Sequence, residues 1–473
     1  MSSEPADSPT GGRAGDRRYS DALFGPLFST DALADATGDV AYLQAMLDVE
    51  AALALAGSDV GLVPRAAAEA IAAAAEARRY DVAAIGQAGR DGGNPVIPLV
   101  AALGRELGPA DAAYVHLGAT SQDILDSATM LVCRRAGALI LEDLHGLLDA
   151  AAALAARHRR DLIAGRTLLQ QAVPITFGLK AAVWLDGALD ATEALSHVLS
   201  TRLAAQFGGA AGSLAPLGEA GPAVLGALAA RLELAEPPLA WHANRTRIAE
   251  LASALALVCG ALAKIANDVA LLMQTEVGEA FEPALEGRGG SSTMPHKRNP
   301  VGATLVNAAA RRASALVSIA FSSLLTEHER GVGAWHAEFQ TLGELARLAG
   351  LCAAQVRETL EGLEVDTEKM AANLDLLDGL PLAERVAFEL GQRIGRAEAR
   401  RITDEAARHA VSAGIPFKQA LAERPEVSGS LDPSELERLL DPAGYLGSTE
   451  AFIERALRRA GTRTEEHDAH LSD

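Results

Sequence analysis

Between residues 244 and 277, Ile248, Leu251, Leu255, Val258, Leu262, Ile265, Val269 and Leu272 recur at three- and four-residue spacing. That is the period of an α-helix, and at 1.5 Å per residue the run is roughly 50 Å long. Alanine fills much of the remaining circumference, so this helix is expected to be buried on nearly all sides, as in the centre of a bundle. Similar patterns cover 121–156, with Ile124, Ala128, Leu131, Val132, Leu139 and Leu144 as its apolar stripe, and 174–205, 301–328 and 337–362. Five long helices with small residues on several faces bury themselves fully only against copies from other subunits, so a homo-oligomer is expected. The fold class this implies is all-α.

Composition agrees. Hydrophobic residues make up 49% and aromatics only 4%, an aliphatic, alanine-rich core that suits close-packed helices. The formal charge of −20 argues against nucleic acid or an anionic membrane surface as partner. An anionic substrate must then be drawn by local charge. Cys133, Cys259 and Cys352 lie far apart inside apolar helical runs and read as buried thiols of a reducing cytosol. No metal-ligand spacing and no dinucleotide or phosphate-loop glycine pattern is present, so neither metal nor cofactor is expected. The apolar run Leu251 to Ala263 is too short to span a bilayer.

Residues 1–18 read as a disordered polar tail. An N-terminal helical domain is expected over 19–115, a central long-helix bundle over 116–363, a small helical domain over 364–460 and a polar tail over 461–473.

The chemistry concentrates in Gly290-Ser291-Ser292-Thr293-Met294-Pro295-His296-Lys297-Arg298-Asn299-Pro300. Gly289 and Gly290 form a hinge before it. Asn299 and Pro300 suit the N-cap and first position of a following helix. A serine, a lysine and a helix N-terminus near one point are equipment for binding a carboxylate and handling an adjacent proton. Further candidates are His116-Leu117-Gly118-Ala119-Thr120-Ser121-Gln122-Asp123, where Thr120 and Asp123 have capping-box spacing; Gly165–Pro174, an extended piece exposing Thr167 and Gln170; and Arg330 after the helix that leaves the loop. Each has a bland reading, as a helix cap, a turn or a charged helix end.

The eleven-residue segment resembles the GSSxMPxKxNP loop of the fumarase/aspartase superfamily, and the resemblance extends from about Leu23 into the C-terminal domain. The similarity is greatest to the 3-carboxy-cis,cis-muconate cycloisomerase branch, with adenylosuccinate lyases next. It rests on Gly93-Asn94-Pro95-Val96-Ile97-Pro98-Leu99, Gly118 to Asp123, Phe207-Gly208-Gly209-Ala210-Ala211-Gly212-Ser213 and Gly333-Ala334-Trp335-His336-Ala337-Glu338. The resemblance implies a cytoplasmic homotetramer whose sites are each built by three subunits, acting on a small di- or tricarboxylate without cofactor or metal. It implies that Ser291 and Lys297 are catalytic. Asn94, His116, Thr120, Ser121, Gln122, Thr167, Gln170, Ser292, Met294, Asn299 and Arg330 are the implied substrate-binding set. The reaction implied is addition of a carboxylate to a conjugated double bond, giving a carboxymuconolactone in the protocatechuate branch of the β-ketoadipate pathway. The alternative is β-elimination of fumarate from a substituted succinate.

Two positions depart from the pattern. Leu168 stands where fumarases, argininosuccinate lyases and adenylosuccinate lyases carry a histidine, and a leucine cannot shuttle a proton. Gln171 stands where cycloisomerases usually show histidine, which leaves the acid–base partner open.

Overall fold

The computed structural model describes residues 21–284, 289–290, 294 and 296–470, so the 1–18 tail, Ser291 and Ser292 lie outside the described residues. The fold is all-α, and the strands among the described residues form two short antiparallel pairs. The long elements are α1 (Asp39–Asp59), α2 (Ser121–Arg157), α3 (Phe177–Arg202), α4 (Thr246–Leu272), α5 (Val301–Ser322) and α6 (Thr341–Glu361). Between α2 and α3 runs a hairpin of β1 (Leu162–Thr167) and β2 (Gln170–Thr176). After α4 comes β3 (Ala280–Phe281), paired with β4 (Glu364–Val365), and α7 (Thr367–Leu374) follows.

The chain groups into two compact units. One holds residues 1–144, 191–263 and 305–355; the other holds 145–190, 264–304 and 356–473. The division falls inside each of α2 to α6. It differs from the linear partition expected from sequence because each of these five helices contributes residues to both units. In the first unit α2 and α3 come close at Gly137, where a Cβ would lie 2.5 Å from Leu199. A larger residue there would push the helices apart. In the second unit Val386, Leu390, Ala399, Ile402, Phe417, Leu421 and Leu436 form a separate apolar core beneath the C-terminal helices. The last helix, Thr449–His470, runs on through most of the segment expected to be a tail.

Three expectations need correction. The helix after the hairpin starts at Phe177, not Pro174. Pro174 is paired with Ala164 in the sheet, and the Thr176 hydroxyl accepts the Leu179 N–H as the cap. Helix α5 ends at Ser322, short of 328. Helix α4 is not buried all round: Leu257, Gly260, Lys264, Asn267 and Leu271 form an exposed stripe at helical spacing. Leu257 is 57% and Leu271 40% exposed. Large aliphatic side chains and alanines are buried on the other faces, and no described element covers this one.

Both α1 and α4 are long and apolar enough to cross a membrane, which corrects the shorter span expected around Leu251. Each buries 61% of its most apolar window inside the fold, as core helices do.

Candidate active site

Asp123, 1% exposed, organises the first region. It lies one turn inside α2, and its Oδ2 accepts the Thr120 N–H at 3.0 Å, half of the expected capping box. The same carboxylate accepts the Gly208 and Gly209 amides at 2.9 Å each, and its Oδ1 lies 2.6 Å from His242 Nε2. The glycine-rich bend is thereby tied to the start of α2, and φ values of 66° at Gly209 and 85° at Gly212 show why glycine is needed there. The Thr120 hydroxyl does not complete the box. It accepts from Arg330 Nη1 at 2.9 Å, while Arg330 Nη2 donates to the carbonyls of Gly209 and Ala210. The structure therefore brings Thr120, Ser121 and Arg330 to one place, with Arg330 Nε buried and without a hydrogen-bond partner among the described residues.

His116 precedes this turn at a φ of 61°, and its Nδ1 lies 2.6 Å from Glu50 Oε1. Gln122 is fully buried and donates to the His242 carbonyl at 3.1 Å. Asn94, 9% exposed, uses its side chain locally: Oδ1 accepts the Val96 N–H and Nδ2 donates to the Gly92 carbonyl.

The Gly333–Glu338 motif is an anchor. Arg245, 2% exposed, donates to both Asp126 oxygens at 2.8 and 3.0 Å and also to Glu338, and Trp335 Nε1 donates to Asp126 at 3.1 Å. Burial pushes the Glu338 carboxyl up, against the pull of Arg245. This network lies on the wall of a cavity of about 930 Å³ that contains none of the candidate site residues. Its charged lining is Asp21, Asp35, Asp39, Asp126, Glu338 and Glu344 against Arg245, Arg312 and Arg347, an acidic balance unsuited to a polycarboxylate.

In the second unit, the β1–β2 hairpin turns at Leu168 and Leu169, both left-handed with φ of 51° and 65°. Two positive φ angles give the tight turn that fits strand twist, although leucine is an unusual residue for it. Thr167 and Gln170 face each other in register at the exposed end, and Leu168 is 95% exposed. Just below its tip the hairpin is fixed by Arg166, which grips Glu279 with two 2.7 Å bonds. Asn373 of α7 donates to Glu279 at 2.8 Å, and its carbonyl accepts from Gln171 Nε2 at 2.7 Å. Gln171 thus spends its amide N–H on the fold, and its Oε1 is buried with no hydrogen-bond partner among the described residues.

The signature loop has a closed neck. Gly290 bridges Arg298, and Asn299 N–H donates to Gly289 O at 2.8 Å. Arg298 makes two bonds to Glu364, one to the Glu282 carbonyl, and lies over the Phe281 ring. That grip holds the Glu364 carboxyl below its ordinary range despite partial burial. The start of α5 was expected to hold a substrate carboxylate. Instead the Glu282 carboxylate, 7% exposed, already accepts its Gly302 and Ala303 amides at 3.1 and 2.7 Å. Lys297 and Met294 are exposed and Asn299 is half-buried.

Comparison with known proteins now bears on these arrangements. A family profile described as "Lyase" matches residues 28–314, more than half of the chain. The chain belongs to this lyase family. A second profile, "Adenylosuccinate lyase C-terminus", matches residues 379–456. The lyase is 48% identical to a 3-carboxy-cis,cis-muconate cycloisomerase of Pseudomonas aeruginosa over 92% of this chain and 95% of the relative. It is 44% identical to a nitrosuccinate lyase of Streptomyces davaonensis over 92% and 94%. Its fold matches the crystal structure of 3-carboxy-cis,cis-muconate lactonizing enzyme from Pseudomonas putida with a TM-score of 0.89 at 43% identity, covering 94% and 100% of the two chains.

The sequence reading of this lyase missed Glu50, Glu279 and Glu282. Each is buried at 7% exposure or less. Other acids stand close by in sequence, Asp48 beside Glu50 and Glu276 before Glu279 and Glu282, so no local pattern marks the three as buried.

Proposed function

We propose that this lyase is a 3-carboxy-cis,cis-muconate cycloisomerase. The observation that carries the reading is the 48% identity to the P. aeruginosa cycloisomerase along nearly the whole of both chains. The structure supports it at Leu168, an exposed apolar tip that cannot relay a proton as the histidine of fumarases and adenylosuccinate lyases would. The Gln171 amide, committed to Asn373, leaves the acid–base partner to other groups.

In the reaction a substrate carboxylate oxygen bonds to a carbon of the diene. The neighbouring carbon takes up a proton through an intermediate in which a second carboxylate carries two charges. Lys297 and Asn299 are assigned to that carboxylate, and Ser291 to the proton. Thr120, Ser121, Arg330 and His116 are assigned to a second carboxylate, with Gln122 and Asn94 behind them. Thr167 and Gln170 are assigned to the substrate backbone, and Ser292 and Met294 to the closing loop. No cofactor or metal is assigned a role.

The working form is a cytoplasmic homotetramer with shared sites and no nucleic-acid or membrane partner. The exposed stripe of α4 and the Leu168-Leu169 tip are surfaces that neighbouring subunits would cover.

Loss of conjugated-diene absorbance on mixing purified protein with 3-carboxy-cis,cis-muconate tests the activity, and a flat trace overturns it. The second reading, β-elimination from a substituted succinate, is favoured by the 44% identity to a nitrosuccinate lyase. Fumarate release from nitrosuccinate would select it.

A further inference from the structure

Glu50 sits in the middle of α1 among buried Met46, Leu47, Val49 and Leu53, and is 1% exposed. A carboxylate in such a place is expensive unless something uses its charge. One oxygen is taken by His116 Nδ1 at 2.6 Å, and the other is buried with no partner among the described residues. The remaining ring nitrogen of His116, Nε2, makes no hydrogen bond among the described residues. The His116 side chain is 20% exposed. Its backbone is held in the left-handed region, and its carbonyl accepts the Ala119 N–H at 3.2 Å. That geometry costs a non-glycine residue free energy and fixes the ring's origin four residues before Thr120.

We propose that Glu50 is a positioning residue that turns His116 into a cationic carboxylate clamp. Glu50 holds Nδ1, sets the ring orientation and leaves Nε2–H to donate to one carboxylate of a polycarboxylate substrate. The inference rests on the polycarboxylate reading of this site and adds to it the group that charges the site. Imidazolium is a stronger donor to an anion than neutral imidazole.

The charged groups acting on the ring are Glu50 from α1 and Asp123 from α2. Burial opposes the charged ring, but the Glu50 bond and charge, joined by Asp123, leave the His116 pKa raised. The sign follows. The clamp is charged below that raised pKa, and anion affinity is lost as the pH rises through it.

The test uses the full-length enzyme and tricarballylate, an unreactive tricarboxylate, by isothermal titration between pH 6 and 9. Wild-type Kd is expected to rise at least about fivefold across that range, which a single neutralised cation readily supplies. Glu50→Gln keeps the shape and removes the charge, so the midpoint of the rise should move down by about one pH unit. His116→Gln should flatten it. Circular dichroism checks that both variants are folded, and Glu50→Gln should raise KM above pH 7 far more than it lowers kcat. A Glu50→Gln curve that overlays the wild type overturns the proposal, as does a wild-type Kd independent of pH. Failure to turn over carboxymuconate with the pH-dependent Kd intact would instead reject the cycloisomerase reading and leave the clamp standing.

Discussion

Replacing Glu279 by glutamine keeps the shape of the side chain and removes one charge from the ion pair just below the hairpin tip. The Glu279 side chain is 0% exposed and that of Arg166 22%, so the pair lies largely out of water. Removing one partner of a buried pair costs about 3–5 kcal/mol, because the other charge is left uncompensated. Arg166 keeps some solvent and glutamine retains one acceptor oxygen, so about 3 kcal/mol, the low end of that range, is expected. In a unit of this size that lowers the thermal midpoint by about 6–12 °C. Scanning fluorimetry at fixed protein concentration measures it. Because the same pair sets the register of Thr167 and Gln170, kcat/KM should fall as well. The double variant Arg166→Met/Glu279→Met removes both charges and should recover most of the stability without recovering activity. A midpoint within about 2 °C of wild type for Glu279→Gln, under 1 kcal/mol, would refute the buried-pair reasoning.

Three further outcomes are expected. Arg298→Met opens the loop neck; its pair with Glu364 is too exposed to contribute more than about 1 kcal/mol to stability, so the loss should appear in kcat. The depressed Glu364 pKa keeps this clamp intact at neutral pH and releases it as the pH falls through that value, below the ordinary 4.5. Hydrogen exchange at the Asn299 amide, which donates to the Gly289 carbonyl, should quicken there in wild type and at every pH in the variant. Glu282→Ala strips the acceptor from two amides of α5 and should cost about 1–2 kcal/mol by denaturant titration. Ser291→Ala should lower kcat at least about 100-fold with the oligomer intact, consistent with loss of an acid–base group; unchanged kcat in a steady-state assay would remove the serine from the mechanism.

The long helices were legible because their apolar spacing is dictated by the helix itself. The starts of α2 and α5 were legible to within a residue from local cap chemistry. Pro174 misled because a proline that opens helices also fits a short hairpin strand, and only pairing with Ala164 decides between them. The exposed stripe of α4 was hidden because Leu257 and Leu271 lie on it, and a leucine reads as buried whether or not a neighbour is present. In the site, Thr120, Arg330 and His116 could be named from sequence, but what holds them could not. Glu50 lies 66 residues from its histidine and Arg330 lies 210 from its threonine. Local pattern carries no information about pairings over such distances. The helix-start anion site failed for the same reason, since Glu282 is outside the motif and reaches its amides only in the folded chain.

That occupied helix start has a practical outcome for anyone wishing to redirect the enzyme. With the amides of Gly302 and Ala303 already satisfied from within, backbone geometry has little say in which acid is accepted. On the proposed assignment, selectivity falls to side chains that can be exchanged one at a time. A library at Lys297, Asn299, Thr167 and Gln170 should therefore reshape substrate scope while leaving the helix beneath undisturbed.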